Sequence, residues 1–208
     1  MKWLLWIGGG LIGGLALGCI VLLILGQRAN AGRGVASIDI NASPNQVWQW
    51  IEEPGKLKQW ISWVVEVRTP NGSVASGVGA KRILVMKDEN NGGTPMEIEG
   101  VYTRYQRPTE MDLAMSTPGA FEGAESYRLT DIGNGRTHFE VAGRFHYTMW
   151  MAQLFEPLIT PAAQKKMDGD LIRLKSLVEA GASAARQGAI SLGSVHGPKV
   201  RAPSNYCV

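Results

Sequence analysis

The hydrophobic pattern near the C-terminus predicts a long amphipathic helix. Four apolar residues recur at intervals of four, three and four positions: Met167, Leu171, Leu174 and Val178. This spacing places all four on one helical face, and most of the intervening positions are polar or charged. The apolar face needs a partner, and the preceding chain has the pattern of strands. We therefore expect the helix to pack against a sheet.

The two ends of this helix are predicted from its prolines and from one glycine. Pro157 and Pro161 interrupt the stretch that begins at Trp150, so its first half is expected to be less regular. Gly181 favours the left-handed conformation in which many helices end. Residues 181–208 are rich in Ala, Gly, Ser and Arg and show no periodicity. They are predicted to form a disordered tail.

The first part of the domain alternates between strand and helix patterns. Polar and apolar residues alternate from Val35 to Ile40, as in a half-buried strand. The pair Ser43-Pro44 has the form of an N-cap followed by proline at the first helical position. The predicted elements are a strand over 35–40, a helix over 44–51, a helical turn through Leu57 and Trp60, and a strand over 63–68.

The middle of the chain predicts an antiparallel meander. Three Asn-Gly dipeptides, at 71–72, 91–92 and 134–135, favour tight hairpin turns. Between and beside them, strands are predicted over 80–87, 96–106, 110–115, 121–131 and 136–147. The predicted fold class is therefore α+β. An antiparallel sheet curls around the long C-terminal helix and leaves a cavity between them.

A series of motifs in this first part resembles a known superfamily. The motifs are Ser43-Pro44, Val47-Trp48, Pro54 with Leu57 and Trp60, and Val64-Val65. Their order resembles the opening of the START-like or Bet v 1-like (SRPBCC) superfamily, in particular its bacterial polyketide cyclase/dehydrase and lipid-transport group. The resemblance covers residues 34–180. It implies a helix-grip fold with a cavity for a hydrophobic small molecule, such as a lipid, a quinone or a polyketide-like compound.

The N-terminal stretch predicts a membrane anchor. From Trp3 to Leu25 no residue is charged. As a helix this stretch would be about 34 Å long, which exceeds the roughly 30 Å core of a bilayer. We therefore expect a single-pass helix in the cell membrane, with the lipid bilayer as partner and a linker to residue 33. Lys2 precedes the helix, and Arg28 and Arg33 follow it, which favours the cytoplasmic side for the domain.

Other interpretations of the N-terminus stay open. The sequence Ala29-Asn30-Ala31 has the form of a signal-peptidase site, although the apolar run is longer than that of most signal peptides. Glycines four residues apart, such as Gly9 and Gly13, would let two such helices approach closely. Self-association through the span is therefore an additional hypothesis.

Charge and cysteine content exclude several classes of function. The chain has 21 basic and 18 acidic residues, and its lysines and arginines form no cluster, so nucleic-acid binding is not indicated. Cys19 lies in the apolar N-terminus and Cys207 at the opposite end, so neither can staple the domain. Phosphate-loop, nucleophile-elbow and zinc-protease motifs are absent from the sequence. No metal and no cofactor are predicted.

Two charged residues are candidates for the interior of the sheet. Arg82 shares its strand parity with Leu84, and Glu99 shares its parity with Val101. A charge facing inward would need a partner or a polar group on a ligand. The resemblance implies that one such group acts as general acid or base or orients a ligand, and Glu99 is the candidate for catalysis. The expected cavity residues are Trp60, Trp63, Arg82, Tyr102, Tyr127 and Phe145, although core packing also accounts for the rings.

Three functions remain open at this point. The first is a membrane-anchored protein that binds or transports a hydrophobic small molecule. The second is an enzyme that cyclises or dehydrates a polyketide-like substrate, with an inward acid or base. The third is a membrane-bound interaction module whose cavity is vestigial. The superfamily includes carriers as well as enzymes, so the fold alone does not choose among them.

Overall fold

The computed structural model describes residues 2–26, 32–74, 76–87 and 93–193. Within these ranges it contains four helices and seven strands. In chain order they are α1 (Lys2–Gly26), β1 (Arg33–Ile40), α2 (Pro44–Glu52), α3 (Pro54–Trp60), β2 (Val64–Arg68), β3 (Lys81–Met86), β4 (Met96–Gln106), β5 (Glu110–Thr117), β6 (Phe121–Asp131), β7 (Thr137–Tyr147) and α4 (Trp150–Gly193).

The strands form one antiparallel sheet in the order β1-β7-β6-β5-β4-β3-β2. Strands β2 to β7 are therefore a meander, and β1 pairs with the last strand. The bounds of β4 and β6 are those predicted from the sequence, and β5 is longer by two residues, ending at Thr117. The sheet curls around α4, which confirms the predicted α+β, helix-grip fold.

The Asn-Gly dipeptides have different outcomes. At the β6–β7 hairpin both residues have positive φ, 55° at Asn134 and 67° at Gly135, as a tight turn of this type requires. Asn71-Gly72 instead belongs to the longer connection between β2 and β3. The predicted turn at 91–92 lies outside the described residues.

The predicted apolar face of α4 is buried against the sheet. Leu171 and Val178 are each 2% exposed, and Leu174 is fully buried. The predicted helix end at Gly181 is wrong, because α4 continues to Gly193. Ala182, the residue after that glycine, is itself buried in the core, so packing maintains the helix where local preference would end it. Residues 194–208 of the predicted tail lie outside the described residues.

The prolines of α4 also lie within the helix rather than before it. Pro157 and Pro161 are four residues apart, so they share one face. Each lacks a backbone N–H, and the resulting gaps in the helical bonding fall on the same side of α4. The helix is therefore continuous over its first half, in contrast to the looser conformation predicted there.

The membrane location predicted from the N-terminus is contradicted. Helix α1 forms as expected and contacts α4. Across the described residues, however, no helix has both the length and the apolar character needed to traverse a bilayer. The predicted single-pass location, with the domain on the cytoplasmic side, is corrected accordingly. Self-association through its glycines is not shown either.

Candidate ligand-binding interior

The inner face of the sheet is the face that α4 covers. Alternate residues of each strand point toward it, so the buried positions recur with a period of two. The buried inner-face residues at the centre of the sheet are Ile98, Gly100 and Tyr102 on β4, Met111, Leu113 and Met115 on β5, Tyr127 and Leu129 on β6, and Phe139 and Val141 on β7. This face is mainly apolar, so any charged side chain on it requires an explanation.

Arg82 is the charged residue of β3 that faces this interior, as its parity predicts. It is 5% exposed. Its Nη1 donates a hydrogen bond to the backbone carbonyl of Ile51 at 3.3 Å, and its Nη2 lies 3.9 Å from the Met111 sulfur. The guanidinium carbon is 4.6 Å from the centre of the Tyr102 ring. The observed partners are thus a carbonyl, a thioether and an aromatic face rather than a carboxylate.

A glycine on the neighbouring strand provides the space for this side chain. Gly100 pairs directly with Arg82 in the β3–β4 register. A Cβ atom at Gly100 would lie 3.4 Å from Arg82 Cγ and 3.2 Å from Leu113 Cδ2. Any larger residue at position 100 would therefore press on the arginine. Glycine therefore occupies the position beside which the aliphatic part of the Arg82 side chain passes.

Glu125 and Tyr127 form a second polar group on the same face. The Tyr127 hydroxyl donates a hydrogen bond to Glu125 Oε2 at 2.7 Å. Burial raises the pKa of Glu125, and the Tyr127 hydrogen bond and the charge of Arg82 act in the opposite direction. The pKa of Tyr127 lies well above its usual value because of burial and the adjacent Glu125. Arg82, Glu125 and Tyr127 are hereafter called the interior polar cluster.

Burial and nearby charges also shift the pKa of Arg82 in opposite directions. Removal from water lowers its pKa, and Tyr127 and Glu125 are the largest electrostatic influences that raise it. The cluster therefore couples one guanidinium to one carboxyl and one phenol in a medium with little water. The sequence prediction included Arg82 and Tyr127 but missed Glu125. Its parity with Tyr127 and Leu129 on β6 was the available signal.

Glu99, the candidate for catalysis, faces the other way. Its carboxylate pairs with Lys81 Nζ at 3.0 Å, and its side chain is 42% exposed. Ile98 and Gly100, on either side of it, are buried. The predicted inward orientation is wrong because the inner parity of β4 is that of Tyr102, not that of Val101. Glu99 is therefore a surface ion-pair residue in the described structure.

The predicted aromatic residues are divided between the interior and its edge. Tyr102 and Tyr127 belong to the inner face and lie next to Arg82. Trp60 is buried at the end of α3, where its Nε1 donates to the Trp50 carbonyl at 2.9 Å. Trp63 is half-buried, with Lys166 Nζ 5.2 Å from the centre of its ring. The two tryptophans thus pack around α3 and are not in contact with the cluster.

Phe145 covers a glycine-lined part of the inner face. Gly34 on β1 pairs with Gly143 on β7. A Cβ atom at Gly143 would lie 2.6 Å from Phe145 Cζ, and one at Gly34 would lie 3.0 Å from Met167 Cε. The Phe145 ring and the Met167 thioether therefore occupy the space that the two glycines leave. Both side chains can change rotamer, and methionine is especially adaptable.

A small cavity of about 30 Å³ lies beside these side chains, under the first half of α4. Gly32, Phe145, Tyr147, Glu156, Ile159 and Met167 are among its described lining residues. Its volume is sufficient for one or two water-sized groups. The inner-face side chains at the centre of the sheet are buried, and this small cavity lies at the end of the sheet where β1 begins.

Comparison with known proteins gives a family and a fold. The family described as "Polyketide cyclase / dehydrase and lipid transport" matches residues 32–179. A protein of Thermus thermophilus has a similar structure, with a TM-score of 0.59 and 14% identity over 72% of this chain and 98% of that one. No curated protein sequence matches the chain.

Two further solved structures share the architecture. The di-domain ARO/CYC protein BexL has a TM-score of 0.53 at 14% identity, covering 71% of this chain and 46% of that one. Ara h 8.0201 has a TM-score of 0.52 at 12% identity, covering 71% of this chain and 97% of that one. At such low identity these likenesses concern the fold alone. They agree with a sheet curled around a C-terminal helix.

Proposed function

Because the chain belongs to the polyketide cyclase/dehydrase and lipid transport family, we propose that it binds a hydrophobic small molecule between its sheet and α4. A lipid, a quinone or a polyketide-like compound has the required apolar character. The ligand would place an oxygen acceptor, such as a carboxylate or a carbonyl, against Arg82. The family match and the interior polar cluster support this proposal together.

The observation that carries the proposal is the burial of Arg82. A charged group removed from water is costly unless it is paired or well hydrogen-bonded. Within the described residues the guanidinium has one hydrogen bond to an oxygen acceptor, at Ile51, and no ion pair. Guanidinium carries five N–H donors. A ligand oxygen would accept hydrogen bonds from the guanidinium donors that the protein leaves weakly bonded. Tyr102 and Met111 would contact the apolar part of the ligand.

Side chains occupy the space between the sheet and α4, and side chains can rotate to admit a ligand. The Phe145 ring and Met167 cover Gly34 and Gly143, and rotation of either side chain would uncover the glycine-lined floor. A glycine floor lets a flat or extended ligand approach the sheet closely. Binding would then exchange side-chain contacts for ligand contacts of similar apolar area, which keeps the reorganisation local.

The experiment is a titration of the full-length protein with a fluorescent fatty acid. We expect saturable binding that extracted membrane lipid displaces. Arg82→Met, which keeps an unbranched side chain, should weaken binding roughly tenfold or more, since a charge-assisted contact of about 1.4 kcal/mol or more is lost. Arg104→Met is the matched control, because Arg104 is an exposed arginine paired with Glu110. Absence of saturable binding to folded wild-type protein would reject the proposal and favour an interaction module.

A second candidate function is catalysis at the same site. The observation that favours it is the partly buried Tyr127–Glu125 hydrogen bond, since desolvation raises the pKa of both groups. A carboxyl group with a raised pKa is a stronger base than an ordinary carboxylate, and cyclisation or dehydration of a polyketide requires a group that takes up or donates a proton. Glu125 would take the role that the sequence prediction gave to Glu99. Turnover of a polyketide-like substrate that Glu125→Gln abolishes, with binding retained, would establish the enzyme.

A further inference from the structure

Glu156 on α4 is a buried carboxylate without a partner. It is 1% exposed, and both of its carboxylate oxygens lack a hydrogen-bond partner in the described structure. Buried polar atoms in proteins are nearly always bonded, so each exception calls for an explanation. An unpaired buried carboxylate is among the most costly of such groups. The interior polar cluster does not use this residue.

The backbone around Glu156 leaves its carboxylate free. Gly32 has a φ of 67°, and a Cβ atom there would lie 2.3 Å from the Phe145 carbonyl oxygen and 2.7 Å from Glu156 Oε1. Only glycine fits this position. The Gly32 N–H donates to Thr160 Oγ1 at 3.2 Å, and the Thr160 hydroxyl donates to the Glu156 backbone carbonyl at 2.9 Å. These two donors are therefore bonded to other acceptors.

The charged neighbours do not pair with Glu156 either. Arg33 lines the same cavity, but its side chain is exposed. His146 is exposed on β7 and acts on Glu156 only through its field, which opposes the effect of burial on the pKa of the carboxyl group. The carboxylate thus faces a small cavity with a mainly apolar lining, which includes Phe145, Ile159 and Met167 beside the polar residues Arg33, Thr160 and Gln164.

We propose that this cavity binds a primary ammonium group attached to a hydrocarbon chain, with Glu156 as its counter-ion. An ammonium group has three N–H donors, enough for both carboxylate oxygens, and its charge offsets the cost of burying the carboxylate. A hydroxyl group has one donor and would leave one oxygen unbonded. The apolar walls match the carbon atoms next to the nitrogen. This site is separate from Arg82 and does not depend on the anion-binding role proposed for that residue.

The test is a calorimetric titration of the full-length protein with hexylammonium, and with hexanol and hexanoate as chemical controls. We expect saturable binding of hexylammonium, with hexanol weaker by roughly tenfold or more. Glu156→Gln keeps the shape and removes the charge, and it should weaken hexylammonium binding by a similar factor. Glu122→Gln, an exposed glutamate on β6, is the matched control and should bind as wild type does.

A second measurement does not depend on any variant. In wild-type protein labelled with ¹³C at glutamate carboxyl groups, hexylammonium should shift the Glu156 resonance and leave that of Glu122 in place. Equal binding by wild type and Glu156→Gln would overturn the proposal. So would the absence of any Glu156 shift at saturating amine. Failure here leaves the fatty-acid titration unaffected, so the two proposals are tested separately.

Discussion

The side chain of Gln164 pairs with both backbone groups of Val35. The Val35 N–H donates to Gln164 Oε1 at 3.1 Å, and Gln164 Nε2 donates to the Val35 carbonyl at 2.9 Å. Val35 lies on β1, an edge strand of the sheet. An edge strand exposes unpaired donors and acceptors that invite pairing with other chains. The Gln164 side chain on α4 thus makes the two hydrogen bonds that the backbone of a further strand would make.

The same arrangement continues along the strand. Lys175 Nζ donates to the Asp39 carbonyl at 2.7 Å, and the Asn41 N–H donates to Glu179 Oε1 at 2.8 Å. Side chains from successive turns of α4 therefore cover β1 at several points. The amphipathic pattern of α4 has two purposes, since its apolar residues fill the core and some of its polar residues protect the edge of the sheet.

Replacing Gln164 by leucine should destabilise the protein by about 0.5 to 1.5 kcal/mol, the net contribution of an ordinary hydrogen bond. The change removes two hydrogen bonds to the backbone of Val35, and both of them lie at an exposed edge where water replaces part of the loss. Chemical denaturation of the full-length protein measures the free energy of unfolding. Lys165 is the next residue along α4 and is exposed. Lys165→Ala should therefore change the free energy of unfolding little. Equal, small effects would show that water replaces Gln164 at the edge.

Leu174→Ala should destabilise the protein more strongly, by about 2 to 5 kcal/mol. Leu174 is fully buried at the centre of the contact between α4 and the sheet, so its loss removes apolar contacts and leaves a cavity. Arg173→Ala, the next position along the helix and an exposed one, should have a small effect. Thermal and chemical unfolding of both variants would measure the difference. A small loss for Leu174→Ala would contradict the packing described here.

Periodicity predicted most of the fold because burial alternates along β1, β5 and much of β4 and β7. The helix start at Ser43-Pro44 and the hairpin at Asn134-Gly135 are local features, because the chemistry of neighbouring residues determines them. The end of α4 was missed because it depends on tertiary contacts of Ala182, which override the tendency of Gly181 to end a helix. The location predicted from Trp3 to Leu25 was likewise based on local composition alone.

The candidate site was harder to predict because strand parity shows only which residues share a face. Deciding which face is the inner one requires a reference residue that is known to be buried. Val101 is half-buried, and it gave Glu99 the wrong face. For Arg82, the neighbouring Leu84 is buried and the parity argument held. Glu156 is an isolated charge in the sequence, and nothing local distinguishes it from a surface residue, whereas Glu125 has its parity with Tyr127 and Leu129 as its one local signal. Their importance arises from neighbours distant along the chain, such as Arg82 for Glu125 and Gly32 for Glu156.

The stability of the wild-type protein relative to Glu156→Gln should fall as pH rises. Burial raises the pKa of Glu156 in the folded state, so the folded state favours the protonated carboxyl group. Ionisation therefore costs folding free energy once pH exceeds the unfolded pKa of about 4.3. The loss accumulates up to the folded pKa and is constant above it.

Denaturation of wild type and Glu156→Gln between acidic and neutral pH measures this effect. We expect similar stabilities at low pH, where Glu156 is protonated in both states, and a more stable variant at neutral pH. The gain should be about 1 to 3 kcal/mol, the cost of a buried polar group without a partner. Hexylammonium at saturation should reduce the difference, because it binds wild type roughly tenfold more tightly than the variant and therefore stabilises wild type more. A variant less stable than wild type at neutral pH would contradict the assignment of Glu156 as unpaired.

Gly143 and Phe145 should be energetically coupled, because the Phe145 ring lies where a side chain at position 143 would be. A Cβ atom at Gly143 would be 2.6 Å from Phe145 Cζ and 3.0 Å from Cε2. Gly143→Ala should therefore force the ring from its position and cost about 1 to 3 kcal/mol, as overpacking does in a filled interior. In the Phe145→Ala background the same change should cost much less.

The double-mutant cycle over these four proteins measures the coupling free energy, which we expect to exceed about 0.5 kcal/mol. The cycle also tests the role of the ring as a filler of the binding space. Phe145→Ala uncovers the glycine floor, so it should bind the fluorescent fatty acid at least as tightly as wild type does, despite its lower stability. Gly143→Ala in that background refills part of the floor and should weaken binding again. Additive changes in stability, with fatty-acid affinity unaffected by either substitution, would mean that the ring is a core residue and that the ligand lies elsewhere.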